Sequence, residues 1–188
     1  ISFTNQSLIG PNAKNYSFVG LDNYVRLFSD DGFWNSLQIS FIFVFASAFL
    51  GQFLIGFALA VLLKYSGLIG RGVIGGSVLL AWGIPEIVAV YIWASVLNYQ
   101  SGSANQILIA LGIEQQRWLI DTPLLSIILV NIWRGTAFTM LLFASALEAI
   151  PNVLYDAASV DGASIWEKFR FITLPLIRYT ILLDFILI

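Results

Sequence analysis

Four apolar stretches alternate with polar segments along this 188-residue chain. The stretches are 36–63, 73–97, 123–147 and 176–188. The first contains no charged residue, and the second and third carry one charge each, Glu86 and Arg134. Because roughly 20 apolar residues in a helix cross a bilayer core, the first three stretches predict membrane-spanning helices, and 176–188 predicts part of a fourth.

The positive charges in the polar segments predict the orientation of the chain. Residues 1–35 and 98–122 together carry three Lys or Arg, whereas 64–72 and 148–178 carry five. Positive charge accumulates in cytoplasmic loops. We therefore predict that 148–175 is a cytoplasmic loop and that 1–35 and 98–122 are external.

Two local patterns refine this layout. Residues 20–28 space their apolar side chains as in an amphipathic helix, and 105–112 predict a short surface helix that ends at Gly112. Small residues recur in the first span, at Ala46, Ser47, Ala48, Gly51, Gly56, Ala58 and Ala60. Small side chains let membrane helices approach closely, so we expect this span to pack against another helix.

The composition excludes several functional classes. The chain is 59% hydrophobic and only 11% charged, which leaves too few charges to cover the surface of a soluble domain. It has no His and no Cys, which excludes Cys/His metal sites, thiol nucleophiles and Ser-His-Asp triads. Its formal net charge of -2 offers no basic surface to nucleic acid. We predict no metal site, no catalytic residue and no nucleic-acid partner.

The lysines exclude a phosphate-binding loop. None of Lys14, Lys64 and Lys168 follows a glycine, so the Gly-Lys-Ser/Thr ending of a Walker A motif is absent. If nucleotide energy drives this protein, we expect another subunit to bind the nucleotide. The chain starts at Ile1 and stops in an apolar run, so we expect it to be a fragment of a longer protein.

The polar segment after the third stretch carries clear helix signals. Pro151 suits the first turn of a helix, and Gly162 suits its end because glycine adopts the left-handed backbone conformation. Ser164 and Glu167 form a capping-box pattern that predicts a second helix, and Pro175 is expected to interrupt the start of the next span. Such a short helix with small side chains fits a groove of a partner protein. A loop lying on lipid headgroups is an equally good interpretation.

The same segment resembles a known motif. It reads Asp156-Ala157-Ala158, three residues, Gly162, nine residues, then Ile172-Thr173-Leu174-Pro175. This spacing resembles the EAA loop of ABC importer permeases, E-A-A-x3-G-x9-I-x-L-P, with Asp156 at the first Glu position. The strings at 18–28 and 132–143 are similar to the maltose-type, sugar-uptake branch, so the resemblance extends along the chain.

The resemblance implies a fold and a function. The implied fold is all-α: a polytopic helical membrane protein with the type I transmembrane domain of an ABC importer permease. Residues 1–188 then form a single transmembrane domain, and 148–175 is its coupling loop. In the family this loop docks into a cleft of a cytoplasmic ATPase. The residues implied in coupling are Asp156, Ala157, Ala158, Asp161, Gly162, Ala163, Leu174 and Pro175. The implied function is to form half of the pathway for a di- or oligosaccharide and to couple transport to ATP by alternating access.

The implied partners supply what this chain lacks. They are a cytoplasmic ABC ATPase dimer, a second, related permease subunit and an extracytoplasmic solute-binding protein. The implied location is the plasma (inner) membrane of a prokaryote, with the chain crossing the lipid bilayer several times. ATP and Mg bind to the ATPase, so this chain is expected to bind no cofactor and not to be an enzyme.

Glu86, Arg134 and Asp184 lie in or near apolar stretches, where a charge is costly unless it is paired. One interpretation is an aromatic-lined pathway for a hydroxylated solute, formed by Trp82, Glu86, Tyr91, Trp93, Asn131, Trp133 and Arg134. We favour a structural Glu86–Arg134 ion pair or a subunit contact, with the tryptophans as interface anchors. The competing functions are an ion-coupled secondary transporter that uses Glu86, Arg134 and Asp184 as a relay, and a membrane scaffold without transport. The long cytoplasmic loop argues against both.

Overall fold

The computed structural model describes residues 2–7, 9 and 13–188. A few residues of the predicted external segment 1–35 therefore lie outside the described residues. The regular secondary structure of the described residues is helical, apart from one isolated β-bridge between Thr4 and Phe18. The predicted all-α class is confirmed.

The helices follow one another with short connections. They are α1 (Asp22–Phe28), α2 (Asp31–Val44), α3 (Phe53–Tyr65), α4 (Leu68–Trp82), α5 (Glu86–Val96), α6 (Ser103–Ala110), α7 (Trp118–Asp121), α8 (Pro123–Glu148), α9 (Asn152–Val160), α10 (Ile165–Lys168) and α11 (Leu174–Leu187). Two π-helical segments, π1 (Phe45–Gln52) and π2 (Phe169–Thr173), join α2 to α3 and α10 to α11. The chain divides into two compact units, Ile1–Ile42 and Phe43–Ile188.

The first unit contains the amphipathic helix that the sequence predicts, here α1. The ring of Phe3 lies 5.6 Å from that of Tyr24 on this helix, measured between centroids. The Asp30 carboxylate accepts a hydrogen bond from the Gly32 N–H at 2.8 Å, which caps the first turn of α2. Trp34 donates its indole N–H to the Phe28 carbonyl at 2.8 Å and so joins the two helices of this unit.

In the second unit, α3 packs mainly on α8. The small residues of the first span make this possible, since Gly56 and Ala60 are buried in α3, as are Ser47 and Ala48 in π1. A Cβ placed on Gly56 would lie only 2.6 Å from Thr139 Cβ on α8. The expected close helix pair is therefore present, and it is formed between the first and third predicted spans.

Aromatic and aliphatic side chains fill the core along this helix pair. Phe143 of α8 is fully buried and meets the rings of Phe53 and Phe57 edge-on, at centroid distances of 5.6 Å and 5.3 Å. Met140 and Ile177 are buried in the same cluster, and Ile177 brings α11 against it. The core therefore extends towards the ends of α3 and α8 that precede the predicted cytoplasmic loops.

The second apolar stretch differs from its prediction. The sequence predicts one helix over 73–97, whereas the structure has two, α4 and α5, bent by 102° at a short break. Pro85 explains the break, because it has no amide hydrogen and disfavours the α conformation at Ile84. At this break the Ile84 carbonyl accepts a hydrogen bond from Arg134 Nη1 at 3.3 Å.

Among the described residues, two helices are long and apolar enough to cross a membrane, Asp31–Tyr65 and Pro123–Glu148. The bent pair α4–α5 makes a third if it counts as one broken span. In the fourth predicted span, 176–188, the structure has α11, a helix of 14 residues.

The segment after α8 forms the helix, turn and helix that the sequence predicts. Helix α9 ends at Gly162, whose φ is +77°. The Ala163 N–H donates to the Ala158 carbonyl at 2.9 Å and the Gly162 N–H to the Ser159 carbonyl at 3.2 Å, which is the bonding pattern of a Schellman cap. A left-handed residue is required here, so glycine at 162 sets the direction in which the chain leaves α9.

The predicted capping box starts the second helix. The Glu167 N–H donates to Ser164 Oγ at 3.3 Å, and the Ser164 N–H donates to Glu167 Oε2 at 2.7 Å. The Ser164 hydroxyl also donates to Glu167 Oε2 at 2.7 Å. Both bonds to the Glu167 carboxylate lower its pKa, and the bond from the Ser164 side chain has a larger effect than the bond from the Ser164 backbone N–H.

The prediction that Pro175 interrupts the next helix is wrong. The helix continues from α10 through π2 into α11, with Pro175 in the first turn of α11. In a regular α-helix the proline ring would clash with the carbonyl four residues earlier. A π-helical turn shifts that carbonyl, so the helix passes the proline without a break.

Gly56→Val tests the α3–α8 contact. The added side chain meets Thr139 and the backbone of Met140, so we expect a loss of about 2 kcal/mol or more of stability. The measurement is the melting temperature of the purified protein in detergent. Gly72→Ala is the control, because a Cβ on Gly72 meets nothing within 4 Å. Equal melting temperatures for wild type and Gly56→Val contradict the close packing.

Ser164→Ala tests the capping box. Because the Glu167 pKa is lowered in the folded protein, the capping contribution is complete above the ordinary pKa of a glutamate and is lost as the pH falls through the lowered pKa. We expect Ser164→Ala to raise the Glu167 pKa towards its ordinary value in a carboxyl carbon NMR titration of the purified protein. Ser159→Ala, which leaves the box intact, should not move it. An unchanged Glu167 titration in Ser164→Ala refutes this role of Ser164.

Candidate functional site

The predicted coupling helix, α9, has two different faces. Its outward face consists of Val153, Asp156, Ala157 and Val160, which follow helical spacing and are all exposed. On the opposite face Tyr155 is half-buried against the core. The outward face is therefore a small apolar surface with one carboxylate in it.

The other predicted coupling residues lie around this face. Asp161 and Gly162 are exposed at the end of α9, while Ala158 and Ala163 are half-buried. Leu174 and Pro175 are exposed at the start of α11, so they belong to a different helix from the Asp-Ala-Ala sequence. Of the hydrogen bonds and ion pairs in the described part of the chain, none involves the carboxylates of Asp156 or Asp161. Both acids are thus available to a partner.

Tyr155 and Ser159 attach α9 to neighbouring elements. The hydroxyls of Tyr155 and Thr173 share a hydrogen bond of 2.8 Å, and Thr173 is buried in π2. The Lys64 ammonium lies 4.6 Å from the centroid of the Tyr155 ring. Lys168 Nζ donates to Ser159 Oγ at 2.7 Å. The loop helix is therefore held to the end of α3 and to the helix that follows the turn.

A cavity of about 910 Å³ lies behind α9. It is lined by Phe57, Val61, Lys64, Tyr65, Leu147, Asn152, Tyr155, Ile165, Trp166, Lys168, Phe169 and Thr173. The lining is mostly apolar, and its charged members are both lysines. From α9, only Asn152 and Tyr155 are among the residues that line it.

The favoured Glu86–Arg134 ion pair forms. Arg134 Nη2 lies 3.0 Å from Glu86 Oε1, and Arg134 also donates to the Ile84 carbonyl. One guanidinium of α8 thus contacts Ile84 within the break and Glu86, the first residue of α5. A charged group in an apolar stretch is stabilised in this way by a counter-charge and a backbone acceptor.

The structure brings together only some of the predicted pathway aromatics. The rings of Trp93 and Trp133 meet edge-on with centroids 5.6 Å apart. Trp82 and Tyr91 are exposed, at 45% and 70% of their surface. The aromatic contacts found in the described residues do not include either of them.

Asn131 takes part in a polar contact between helices. Its side-chain amide donates to Ser47 Oγ at 3.0 Å. Its backbone carbonyl accepts from Gln52 Nε2 at 3.1 Å. Gln52 and Ser47 are both buried in π1. Here Asn131 joins α8 to π1, which is a packing role, and its predicted place in a solute pathway stays a prediction.

Asp184 is fully buried between α8 and α11. Thr139 donates its hydroxyl to Asp184 Oδ1 at 3.0 Å, and Oδ2 has no partner among the described residues. The ion pairs and hydrogen bonds found there do not link Asp184 to Glu86 or Arg134. The three charges therefore do not form one bonded relay in this structure.

Sequence reasoning missed the residues that support the site. Lys64 donates to the Leu147 carbonyl at 2.9 Å at the end of α8, and Tyr155 and Thr173 bond to each other. The only signal for Tyr155 is its position on α9, opposite the outward face that contains Asp156. No spacing rule relates Lys64 to a residue 83 positions away.

The described residues contain no group of three or more His, Cys, Asp or Glu side chains that could hold a metal ion. Asp156 on α9 and Asp161 just after it are not part of any such group. The chemistry available at this surface is therefore hydrogen bonding and charge pairing with a partner.

One known protein family matches most of the chain. Residues 52–188 match the family described as "Binding-protein-dependent transport system inner membrane component". This range includes α3 to α11 and with them the loop helix α9.

Two curated permeases are similar over nearly the whole chain. The trehalose/maltose transport system permease protein MalF of Thermococcus litoralis is 39% identical over 173 residues, which are 90% of this chain and 58% of that protein. The galactooligosaccharides transport system permease protein GanP of Bacillus subtilis is 31% identical over 185 residues, 94% of this chain and 44% of that protein. The chain thus spans about half the length of the curated relatives it matches.

Solved structures share the fold. A bacterial ABC transporter involved in the import of the acidic polysaccharide alginate superposes with a TM-score of 0.74 at 26% identity, covering 87% of this chain and 58% of that chain. The alginate transporter in complex with an alginate pentasaccharide-bound periplasmic protein gives a TM-score of 0.75 at 27% identity, covering 86% of this chain and 57% of that chain. Because the family model matches well over half of the residues, this membrane chain belongs to the binding-protein-dependent transport system inner membrane components.

Proposed function

We propose that the chain is the transmembrane subunit of an ATP-driven importer that takes up a di- or oligosaccharide delivered by a binding protein. The observation that carries the proposal is the outward face of α9, with unpaired Asp156 beside Ala157 on a helix fixed by the Gly162 cap. Small side chains permit close approach, and a carboxylate pairs with an Arg or Lys of a partner. The names of the curated relatives, for trehalose/maltose and galactooligosaccharides, support a sugar as the solute.

The proposed assembly contains a cytoplasmic ATPase dimer, a second, related permease and an extracytoplasmic solute-binding protein. ATP and Mg are bound by the ATPase, so this chain binds no cofactor and makes or breaks no covalent bond. The absence of a Walker A sequence supports this division of labour. The family description and the bacterial and archaeal relatives support the plasma membrane of a prokaryote as its location.

The proposed mechanism is alternating access. When the ATPase closes on ATP, it moves α9, and α9 moves the helices to which it is bonded. The permease pair then opens outward to receive the sugar, and hydrolysis returns it to the inward-open state. This chain contributes positioning and transmission of movement, which are the roles that its bonded loop can perform.

An ion-coupled secondary transporter is not favoured. The family match points to a binding-protein-dependent system, and Arg134 is engaged by Glu86 and Ile84 while Asp184 bonds to Thr139. The deciding experiment is uptake by the full importer in proteoliposomes. We expect uptake that needs ATP and is stopped by vanadate, with the ATPase co-purifying. Uptake that continues without ATP but collapses with the ion gradient overturns the proposal.

Gly162→Pro tests the coupling loop. Proline cannot adopt a φ of +77°, so the cap at the end of α9 is lost and the outward face is misdirected. We expect the permease to insert normally but to hydrolyse ATP without transport, measured as solute imported per ATP. Gly112→Pro is the matched control, because Gly112 has a φ of +73° in a similar turn of the predicted external loop. It should leave binding of the ATPase unchanged. Normal transport by Gly162→Pro refutes the coupling role of this turn.

Arg134→Ala and Glu86→Gln separate the two interpretations of the intramembrane charges. If the pair is structural, Arg134→Ala leaves Glu86 and the Ile84 carbonyl without their donor, so it lowers the melting temperature by several degrees. Glu86→Gln costs less, because the amide oxygen still accepts from Arg134. Solute preference, measured by solute-stimulated ATPase activity, should stay the same in both variants. A changed solute preference with unchanged stability assigns the pair to the solute pathway instead.

A further inference from the structure

We infer that Tyr155 is the positioning residue through which movement of α9 reaches the membrane helices. The inference rests on the proposed function, in which a partner ATPase moves α9. It concerns the inward side of the helix, where Tyr155 bonds to Thr173 and lies beside Lys64. The outward face that contains Asp156 binds the partner, and Tyr155 passes the movement on.

The first step is that α9 has few attachments to the bundle. In the described part of the chain, the side-chain hydrogen bonds that leave α9 come from Tyr155 and Ser159. Ser159 bonds to Lys168 near the start of the helix that continues into α11, whereas Thr173 is buried further along that helix. Among the described residues of α9, Tyr155 is the one that packs against the buried core cluster. A force applied to α9 therefore reaches the bundle mainly at Tyr155.

The second step concerns the helices that precede the loop. Lys64, at the end of α3, places its ammonium over the Tyr155 ring and donates to the Leu147 carbonyl in the last turn of α8. A cation is stabilised both by an aromatic face and by the carbonyls at a helix C-terminus. One ammonium thus links the loop helix to α3 and to α8, the two helices that form the closest pair in the second unit.

The third step concerns the helix that follows the loop. Thr173 is the last residue of π2, directly before α11, and it is buried. Its hydroxyl shares a hydrogen bond with Tyr155, so the same side chain also links α9 to the start of α11. The bond is part-buried, and breaking it leaves the Thr173 hydroxyl with only the Lys168 carbonyl at 3.5 Å as a partner, so the link has a free-energy cost to break. Movement of α9 either carries these helices with it or breaks the bonds at Tyr155.

The test uses the complete importer in proteoliposomes and measures solute imported per ATP hydrolysed. Tyr155→Phe keeps the ring over Lys64 but removes the bond to Thr173. We expect it to lower the imported solute per ATP roughly three- to tenfold, the range expected when one intramolecular hydrogen bond is lost. Thr173→Val should do the same. The double variant should be no worse than either single one, because both remove one interaction.

Ser159→Ala is the matched control, since it removes the other side-chain bond of α9 but leaves Tyr155 in place. We expect Ser159→Ala to import as much solute per ATP as the wild type does. We expect Tyr155→Phe still to bind the ATPase in a pull-down. The inference is overturned if Tyr155→Phe imports as much solute per ATP as the wild type, or if Tyr155→Phe no longer binds the ATPase. It is also overturned if Ser159→Ala lowers the imported solute per ATP as much as Tyr155→Phe does. If the wild-type importer itself shows no ATP-driven uptake, the proposed function fails instead.

Discussion

The close contact of α3 with α8 is the constraint on which the rest of the molecule depends. Lipid tails are as apolar as leucine, so helices in a bilayer gain little from hiding apolar surface and associate through tight packing and polar contacts. Gly56 provides the tight packing, because no side chain fits between it and Thr139. The contact also fixes the relative position of the ends of both helices. Only with that position fixed does Lys64 reach the Leu147 carbonyl and the Tyr155 ring.

The polar residues inside the apolar stretches are satisfied by neighbouring helices. Arg134 of α8 bonds to Glu86 and to the Ile84 carbonyl. The side chain of Asn131 on α8 bonds to Ser47 of π1. In both cases α8 is one partner, which explains why the longest helix of the second unit carries polar side chains within an apolar sequence. The same groups would be costly in lipid if α8 stood alone.

Local signals in the sequence were sufficient where the chemistry is local. Gly162 and the pair Ser164–Glu167 predict the turn and the second helix, because a left-handed residue and a capping box act within a few bonds. The features that the sequence did not reveal depend on distant partners. The π-helical turns and the contact of Lys64 with Tyr155 arise from packing between elements, and no periodicity encodes them. Pro85 and Pro175 illustrate the difference, since one breaks its helix and the other is accommodated by π2.

In the proposed importer, the outward and inward faces of α9 have different physical requirements. The outward face bears Asp156, where the resembled motif has Glu, and a shorter side chain pairs with a partner cation only at closer approach. Ala157 beside it permits that approach, because it adds almost no volume to the surface. The inward face needs the opposite property, namely a long, stiff side chain that spans the distance to the bundle. Tyr155 has that property, since its ring and hydroxyl reach two elements at once. A single short helix therefore separates docking from transmission by placing small residues on one side and an aromatic residue on the other.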